Sequence, residues 1–235
     1  MSLNNKKQCL VLLSGGLDSA TVLNIALQDF EVIAISFDYG QRHKFEISAA
    51  KQIAKEAKIS MKLIKIDLGQ FGNSALTDNI EVPKNQEIGK EIPVTYVPVR
   101  NTIFLSYALA FAEVNNIFDI FIGVNALDYS GYPDCRPQFI KAFEKMANEA
   151  TKFSQGKQKI KIHTPLIDLT KAQIISVGSK LNVNYAITHS CYDPSVNGLS
   201  CGACDACILR KEGFKAAGII DPTRYIWVIL LKKFI

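Results

Sequence analysis

The sequence predicts a doubly wound α/β domain on a mostly parallel sheet, carrying a small C-terminal appendage. Three observations lead there. Short apolar runs rich in Ile, Val and Leu alternate with stretches that repeat apolar residues at helical spacing, the order expected of strands and helices wound about one sheet. The runs end in polar, glycine-bearing segments, and in such sheets ligands bind at the carboxyl ends of the strands. Four of the six cysteines fall within residues 191–207, after the alternating region.

The 235 residues suffice for one large domain with a buried core and a small addition, divided here as 1–185 and 186–235. No apolar run approaches the roughly 20 residues that span a bilayer, and MSLNNKKQ lacks the apolar core of a signal peptide. A soluble, cytoplasmic protein with no membrane partner is expected. The net charge of +5 is scattered, without the basic stripe of a nucleic-acid binder, so no nucleic acid is expected as partner and an anionic small substrate fits as easily. Neither repeats nor low-complexity segments occur.

Cys9 to Leu13 is the first strand, with Cys9 as a small buried hydrophobe. It runs into Ser14-Gly15-Gly16-Leu17-Asp18-Ser19 and then a helical stretch, Ala20 to Leu27, so the segment reads as a tight turn from strand into helix. Two glycines let the backbone approach a ligand, the first helical amides are unpaired, and Ser14 and Ser19 add hydroxyls. Together these make a seat for phosphate. Asp18 beside phosphate implies a divalent cation between them, because Mg2+ is held by a carboxylate together with phosphate oxygens. No GxxxxGKS, GxxxxGKT or helix-opening GxGxxG occurs, which removes two better-known phosphate loops.

Glu31 to Phe37 reads as a buried parallel strand ending in the polar segment Asp38-Tyr39-Gly40-Gln41-Arg42-His43. Glu46 to Lys58 places Ala50, Ile53, Ala54 and Ala57 at helical spacing, and Met61 to Ile66 is a third strand. Asp67 to Pro98 breaks into Gly, Asn, Pro and charge; a loop of that length is expected to be a lid or disordered. Ile103 to Ala112 is apolar nearly all round and predicts a buried helix with Arg100 and Asn101 at its N-terminus. The strand Asp119 to Val124 ends in Asn125 to Arg136, a polar, aromatic loop suited to a specificity pocket. Phe139 to Ala150 is a helix, Ile160 to His163 a short strand, and Thr170 to Leu181 a helix with Lys171 in its first turn. A cation is unfavourable at a helix N-terminus. Lys171 therefore reads either as a phosphate contact or as a solvated surface lysine.

Cys191, Cys201, Cys204 and Cys207 form C-x9-C-x2-C-x2-C, a spacing that brings four thiolates onto one structural zinc per chain. Iron–sulfur ligation also uses four cysteines and is the rival reading. His189 could replace one thiolate, but four sulfurs are preferred. Cys135, in the pocket loop, reads as a pocket-lining thiol before a nucleophile.

SGGLDS resembles the pyrophosphate-binding loop of the N-type ATP pyrophosphatase superfamily, whose members cut ATP between the α and β phosphates. With FDYGQRH, VPVRN, DYSGYPDCR and CYDPSVNGLSCGACDACILR following in order, the chain is similar to the 7-cyano-7-deazaguanine synthase (QueC) family of queuosine biosynthesis. The resemblance covers about Cys9 to Tyr225 and implies a fold of the adenine nucleotide alpha hydrolase-like type. The implied reaction is a ligase reaction. ATP activates the carboxylate of 7-carboxy-7-deazaguanine, ammonia displaces the activating group to give an amide, and a second activation dehydrates the amide to the nitrile.

Carried onto this sequence, the resemblance implies ATP on Leu13, Ser14, Gly15, Gly16, Leu17, Asp18, Ser19, Ala20, Thr21, Val22 and Leu23, with Asp18 holding Mg2+ and Lys171 and Arg100 supplying positive charge. Tyr129 or Tyr132 would stack on the deazapurine, Asp128 or Asp134 would accept its N–H groups, Arg136 would pair with its carboxylate, and Ser130 belongs to the same pocket loop. One departure is visible: Val99 stands where the family commonly has glycine. Ile226 to Ile235 matches nothing in the family and reads as an added strand or contact surface. Homodimerisation is compatible with the sequence. The rival functions are a tRNA-thiolating enzyme of the same superfamily and a zinc-stabilised nucleotide-binding module without catalysis; a glutaminase-bearing amidotransferase has no room in this length.

Overall fold

Successive side chains of a strand leave on opposite faces, and the first strand buries both. Cys9, Val11 and Leu13 enter one core cluster, while Leu10 and Leu12 enter another. The second strand repeats the division, with Val32 and Ala34 on the first side and Ile35 and Phe37 on the second. Strands buried on both faces need helices over both, which is what the chain supplies. The computed structural model describes residues 6–86, 89, 91–127 and 132–226.

The strands are Lys7–Leu12 (β1), Phe30–Asp38 (β2), Ser60–Lys65 (β3), Asp119–Phe121 (β4) and Lys161–His163 (β5). They form one parallel sheet in the order β3-β2-β1-β4-β5. The helices are Leu17–Asp29 (α1), Phe45–Glu56 (α2), Arg100–Asn115 (α3), Pro137–Ala150 (α4), Lys171–Lys180 (α5) and Asp205–Ala217 (α6). Buried residues of α1, α2, α5 and α6 share the cluster of Cys9 and Val11; those of α3 and α4 share the cluster of Leu10 and Leu12. The strand order reverses between β1 and β4, and the crevice at such a reversal is where doubly wound sheets bind ligands.

Two expectations need correction. The third helix is not buried all round: Leu105, Ala108 and Ala112 face the core, but Tyr107 is 44% and Val114 78% exposed. Apolar composition hid a solvent face because Tyr and Val are tolerated there singly. The segment after β3 is neither lid nor disorder among its described residues. Leu68, Leu76 and Val97 are buried in the sheet core, and Ala75 and Val82 join the cysteine cluster. Its backbone is tied by Ala75 N–H to the Val94 carbonyl (2.9 Å) and by Asn85 N–H to the Ala203 carbonyl (2.8 Å). It is a packed strap from the sheet edge to the C-terminal lobe.

That lobe is bound to the sheet through α5 and α6. Gly178 and Gly213 allow the contact, since a Cβ at Gly178 would fall 1.9 Å from the Tyr185 hydroxyl and one at Gly213 would fall 2.4 Å from Lys171 Cγ. Arg210 is buried and locks α6 in place, donating to Asp221 (3.1 Å), to the Thr188 hydroxyl (2.7 Å) and to the Tyr185 carbonyl (3.0 Å). Among the described residues no helix is long and apolar enough to cross a membrane. Of the apolar C-terminal run, only Ile226 lies within the described residues, packed against the cysteine cluster.

Candidate active site

The loop between β1 and α1 is shaped by its glycines. Gly15 has φ +94°, and a Cβ there would fall 2.2 Å from the Glu46 carbonyl oxygen, so the backbones of the loop and of α2 touch only because no side chain intervenes. Gly123, after β4, plays the same part from the other side: a Cβ would fall 3.2 Å from the Ser19 nitrogen. Inside the loop the Ser14 hydroxyl donates to Ser19 Oγ (3.0 Å), and the Gly15 and Gly16 amides donate to Ser19 Oγ (3.2 Å) and Ser14 Oγ (3.3 Å). Gly16 caps α1, whose N-terminus points its dipole at the opening.

The opening is a cleft of about 180 Å³ at the strand-order reversal. Leu13, Ser14, Gly16, Leu17, Asp18 and Ser19 form one wall. At its edge Lys171 Nζ donates to both carboxylate oxygens of Asp18, at 2.8 and 2.9 Å. Lys171 is 8% exposed, which discards the solvated surface reading. It is presented by a complete capping box, in which Thr170 accepts from the Gln173 amide and Gln173 accepts from the Thr170 amide. A buried charge pair at a phosphate loop is a store of one cation and one anion that a magnesium nucleotide can engage separately.

The facing wall carries Tyr39, Glu46, Arg100, Asn101, Tyr132 and Cys135. Arg100, in the first turn of α3, lies 5.8 Å above the Tyr39 ring and 6.0 Å from that of Phe104, so aromatic faces offset its unfavourable position at a helix N-terminus. Burial pushes the Glu46 carboxyl up to about 7, with the charge of Arg100 pulling it back. Burial, reinforced by Asp134, pushes the Cys135 thiol up to about 12, and Asn101 Nδ2 donates to its sulfur at 3.3 Å. A thiol held protonated is a wall, not a nucleophile.

The four cysteines beyond are buried, with their sulfurs all within 4.8 Å of one another. A tetrahedral zinc with bonds of about 2.3 Å requires sulfurs about 3.8 Å apart, and Cys201 Sγ and Cys207 Sγ are 3.9 Å apart. Amides of Cys201, Ala203 and Cys204 already point at thiol sulfurs of the set, the outer contacts that steady metal thiolates. The set fits a closed, structural zinc site, whereas an iron–sulfur cluster would spread its ligands around a larger core. His189 is not part of it. Its backbone N–H donates to the Gly15 carbonyl (2.9 Å), and Ser190 Oγ accepts from Leu17 N–H (3.4 Å), so the cysteine-bearing segment buttresses the phosphate loop directly.

The family model for the queuosine biosynthesis protein QueC matches residues 8–218. The chain belongs to the QueC family. It is 60% identical to the 7-cyano-7-deazaguanine synthase of Desulfatibacillum aliphaticivorans, over 96% of this chain and 100% of that one. It is 56% identical to that of Solidesulfovibrio magneticus (96% and 98% covered) and 58% to that of Citrifermentans bemidjiense (94% and 98%).

Within this family frame the expected residues divide. Ser14, Asp18, Ser19, Lys171, Arg100 and Tyr132 are brought to one place. Gly15 supports the cleft from behind. Ala20, Thr21, Val22 and Leu23 lie inside α1 without lining the cleft, and Thr21 bonds the Leu17 carbonyl and the Tyr185 hydroxyl, both at 2.9 Å. Asp134 is buried and accepts the Asn101 N–H at 2.9 Å, which satisfies an amide in the first turn of α3; Arg136 is exposed at the start of α4. Asp128, Tyr129 and Ser130 lie outside the described residues. Gln41 and Asn125 line the cleft from the polar segments that the sequence places at strand ends, whereas Glu46, Ser190 and Tyr192 were missed as lining residues. Ser190 and Tyr192 flank a zinc cysteine and arrive only through the fold.

Proposed function

We propose that the protein is an ATP-dependent ligase that converts 7-carboxy-7-deazaguanine and ammonia to 7-cyano-7-deazaguanine. The observation that carries the reading is the Asp18–Lys171 pair at the edge of a serine- and glycine-lined loop, in a chain 54–60% identical to 7-cyano-7-deazaguanine synthases over nearly its whole length. A carboxylate is a poor electrophile, and its activation by ATP demands stabilisation of the charge that gathers on pyrophosphate. The loop amides and the Ser14 and Ser19 hydroxyls would receive that pyrophosphate. Asp18 would turn to Mg2+ bound with ATP, releasing Lys171 to the phosphates. Arg100 would meet the substrate carboxylate as a bidentate donor, a role moved here from Arg136 because Arg100 lines the cleft.

The deazapurine would lie against Tyr132 and Tyr39, with Asn101 offering hydrogen bonds, while Asp128, Tyr129 and Ser130 remain candidates for the pocket rim. Asp134 would act as a positioning residue for Asn101. Residues 186–235 would form the zinc-bearing subdomain, the soluble protein would work in the cytoplasm, and a homodimer is its proposed assembly, to be tested by sedimentation. The reading is tested with purified protein, ATP, Mg2+, ammonium and the carboxylic acid. Mass spectrometry should show amide and then nitrile, each dependent on ATP; absence of both would overturn it.

A further inference from the structure

Behind the cleft lies a side chamber of about 10 Å³, room for one water-sized molecule. Tyr39, Gln41, Glu46 and Tyr192 line both spaces, so the chamber and the reaction site share a wall. Two of its groups are suited to a small cation. The Glu46 carboxylate lines both spaces, with Arg100 as its charged neighbour. His43 Nδ1 is buried with no hydrogen-bond partner among the described residues. The competing cation in the lining, Arg42, is already engaged by the carbonyls of Ile80 (2.9 Å) and Ala75 (3.4 Å).

Ammonium has the size of water, carries four donors, and cannot attack carbon until it loses a proton. We propose that this chamber is the ammonium site and that Glu46 is the base that converts ammonium to ammonia beside the activated carboxylate. This rests on the ligase reading above. Ammonium enters with N–H groups toward Glu46 and His43 Nδ1, and Glu46 takes one proton, leaving ammonia and a neutral carboxyl. The nitrogen lone pair forms the C–N bond, the C–O bond to the activating phosphate breaks with its electron pair on the departing phosphate, and the nitrogen sheds a second proton to water. Glu46 then returns its proton to solvent.

The charged and titratable groups facing Glu46 are Arg42 and His43 on its own connection, Tyr39 at the end of β2, and Arg100 from α3. Tyr132 and Cys135 face it from the loop after β4, with Tyr192 from the zinc segment and the Asp18–Lys171 pair across the cleft. Burial holds Tyr39 and Cys135 protonated, at about 12 each, while the Glu46 carboxyl, at about 7, changes charge near neutrality.

The test compares wild type with Glu46→Gln in amide formation at varied ammonium and pH, using hydroxylamine as the second nucleophile. Hydroxylamine is neutral at pH 7 and needs no base. Glu46→Gln should lower kcat/KM for ammonium about 100-fold at pH 7, remove the levelling of that constant above pH 7 so that it keeps climbing with free ammonia, and form hydroxamate within about 2-fold of the wild-type rate, a ratio no merely structural defect would produce. Glu46→Asp should recover part of the ammonium reaction. Equal losses with both nucleophiles, or an unaltered pH profile for ammonium, would overturn the proposal. Failure of the wild type to consume ATP with the carboxylic acid would instead overturn the ligase reading beneath it.

Discussion

Glu46 sets the residue scale, because a carboxylate placed for chemistry is misplaced for stability. Its folded-state value of about 7 lies above the ordinary 4.5, so its protonated form is the one the fold favours. The stability it contributes is complete below pH 4.5 and is lost as pH rises through 7. Glu46→Gln is therefore expected to match the wild type near pH 4 and to exceed it by about 2–3 kcal/mol at pH 8, read by denaturant unfolding at both values. Equal stability at pH 8 would mean that the carboxylate is more solvated than its place beside Arg100 implies. Lys171 follows the opposite logic. Lys171→Ala leaves the Asp18 carboxylate without its partner at 2.8 Å, and should cost about 3 kcal/mol as well as about 100-fold in ATP-dependent turnover. Unchanged turnover would remove it from the phosphate site.

At the scale of elements, two contacts carry more than their local sequence suggests. Val99 precedes α3 at φ 49°, ψ 25°, a left-handed conformation that a β-branched residue adopts only under strain. This accounts for glycine at the equivalent place in the family: the chain must turn sharply between Pro98 and Arg100 to aim Arg100 into the cleft. Val99 is exposed and has little packing to lose. Val99→Gly should stabilise by about 0.5–1 kcal/mol, the relief of strain less the added entropy of glycine in the unfolded chain, and thermal unfolding will show it. Gly213 is the reverse case. It touches no ligand, yet a Cβ there would fall 2.4 Å from Lys171 Cγ and 2.9 Å from Ile175 Cδ1. Gly213→Ala should displace α6 or the lysine stem and lower turnover about 10-fold or more while binding of zinc persists. Wild-type turnover with retained zinc would show that α5 and Lys171 do not depend on this packing.

For the whole molecule, the cysteine cluster and the phosphate loop form one mechanical unit although residues 13–19 and 189–207 are far apart in the chain. The His189 amide on the Gly15 carbonyl and the Leu17 amide on Ser190 Oγ join them, and Asn85 and the Lys84–Asp193 ion pair (2.8 Å) draw in the strap from the sheet edge. Removal of zinc by a strong chelator should raise KM for ATP and lower the unfolding temperature together, with both restored by zinc. Loss of zinc without change in either would separate the cluster from the site. The central strands were legible because strands covered on both faces are written largely as apolar runs, and the phosphate loop and the cysteine spacing were legible because each is a local geometry. Ala20 to Leu23 illustrate the limit of that reading. They continue the loop in sequence, yet the helical turn carries their side chains into the core and away from the ligand.

What the sequence by itself determined is everything whose partners lie within a few residues: strand and helix alternation, the glycine turn before α1, and four thiolates at metal-binding spacing. Only the tertiary structure decided which residues share the cleft. The Asp18–Lys171 pair spans 153 positions, and Glu46 reaches the site because Gly15 lets two backbones meet. Such contacts have no period or spacing to betray them. They exist because the sheet brings strand ends together, and because burial there sets the charge and proton affinity of groups that would be ordinary in water.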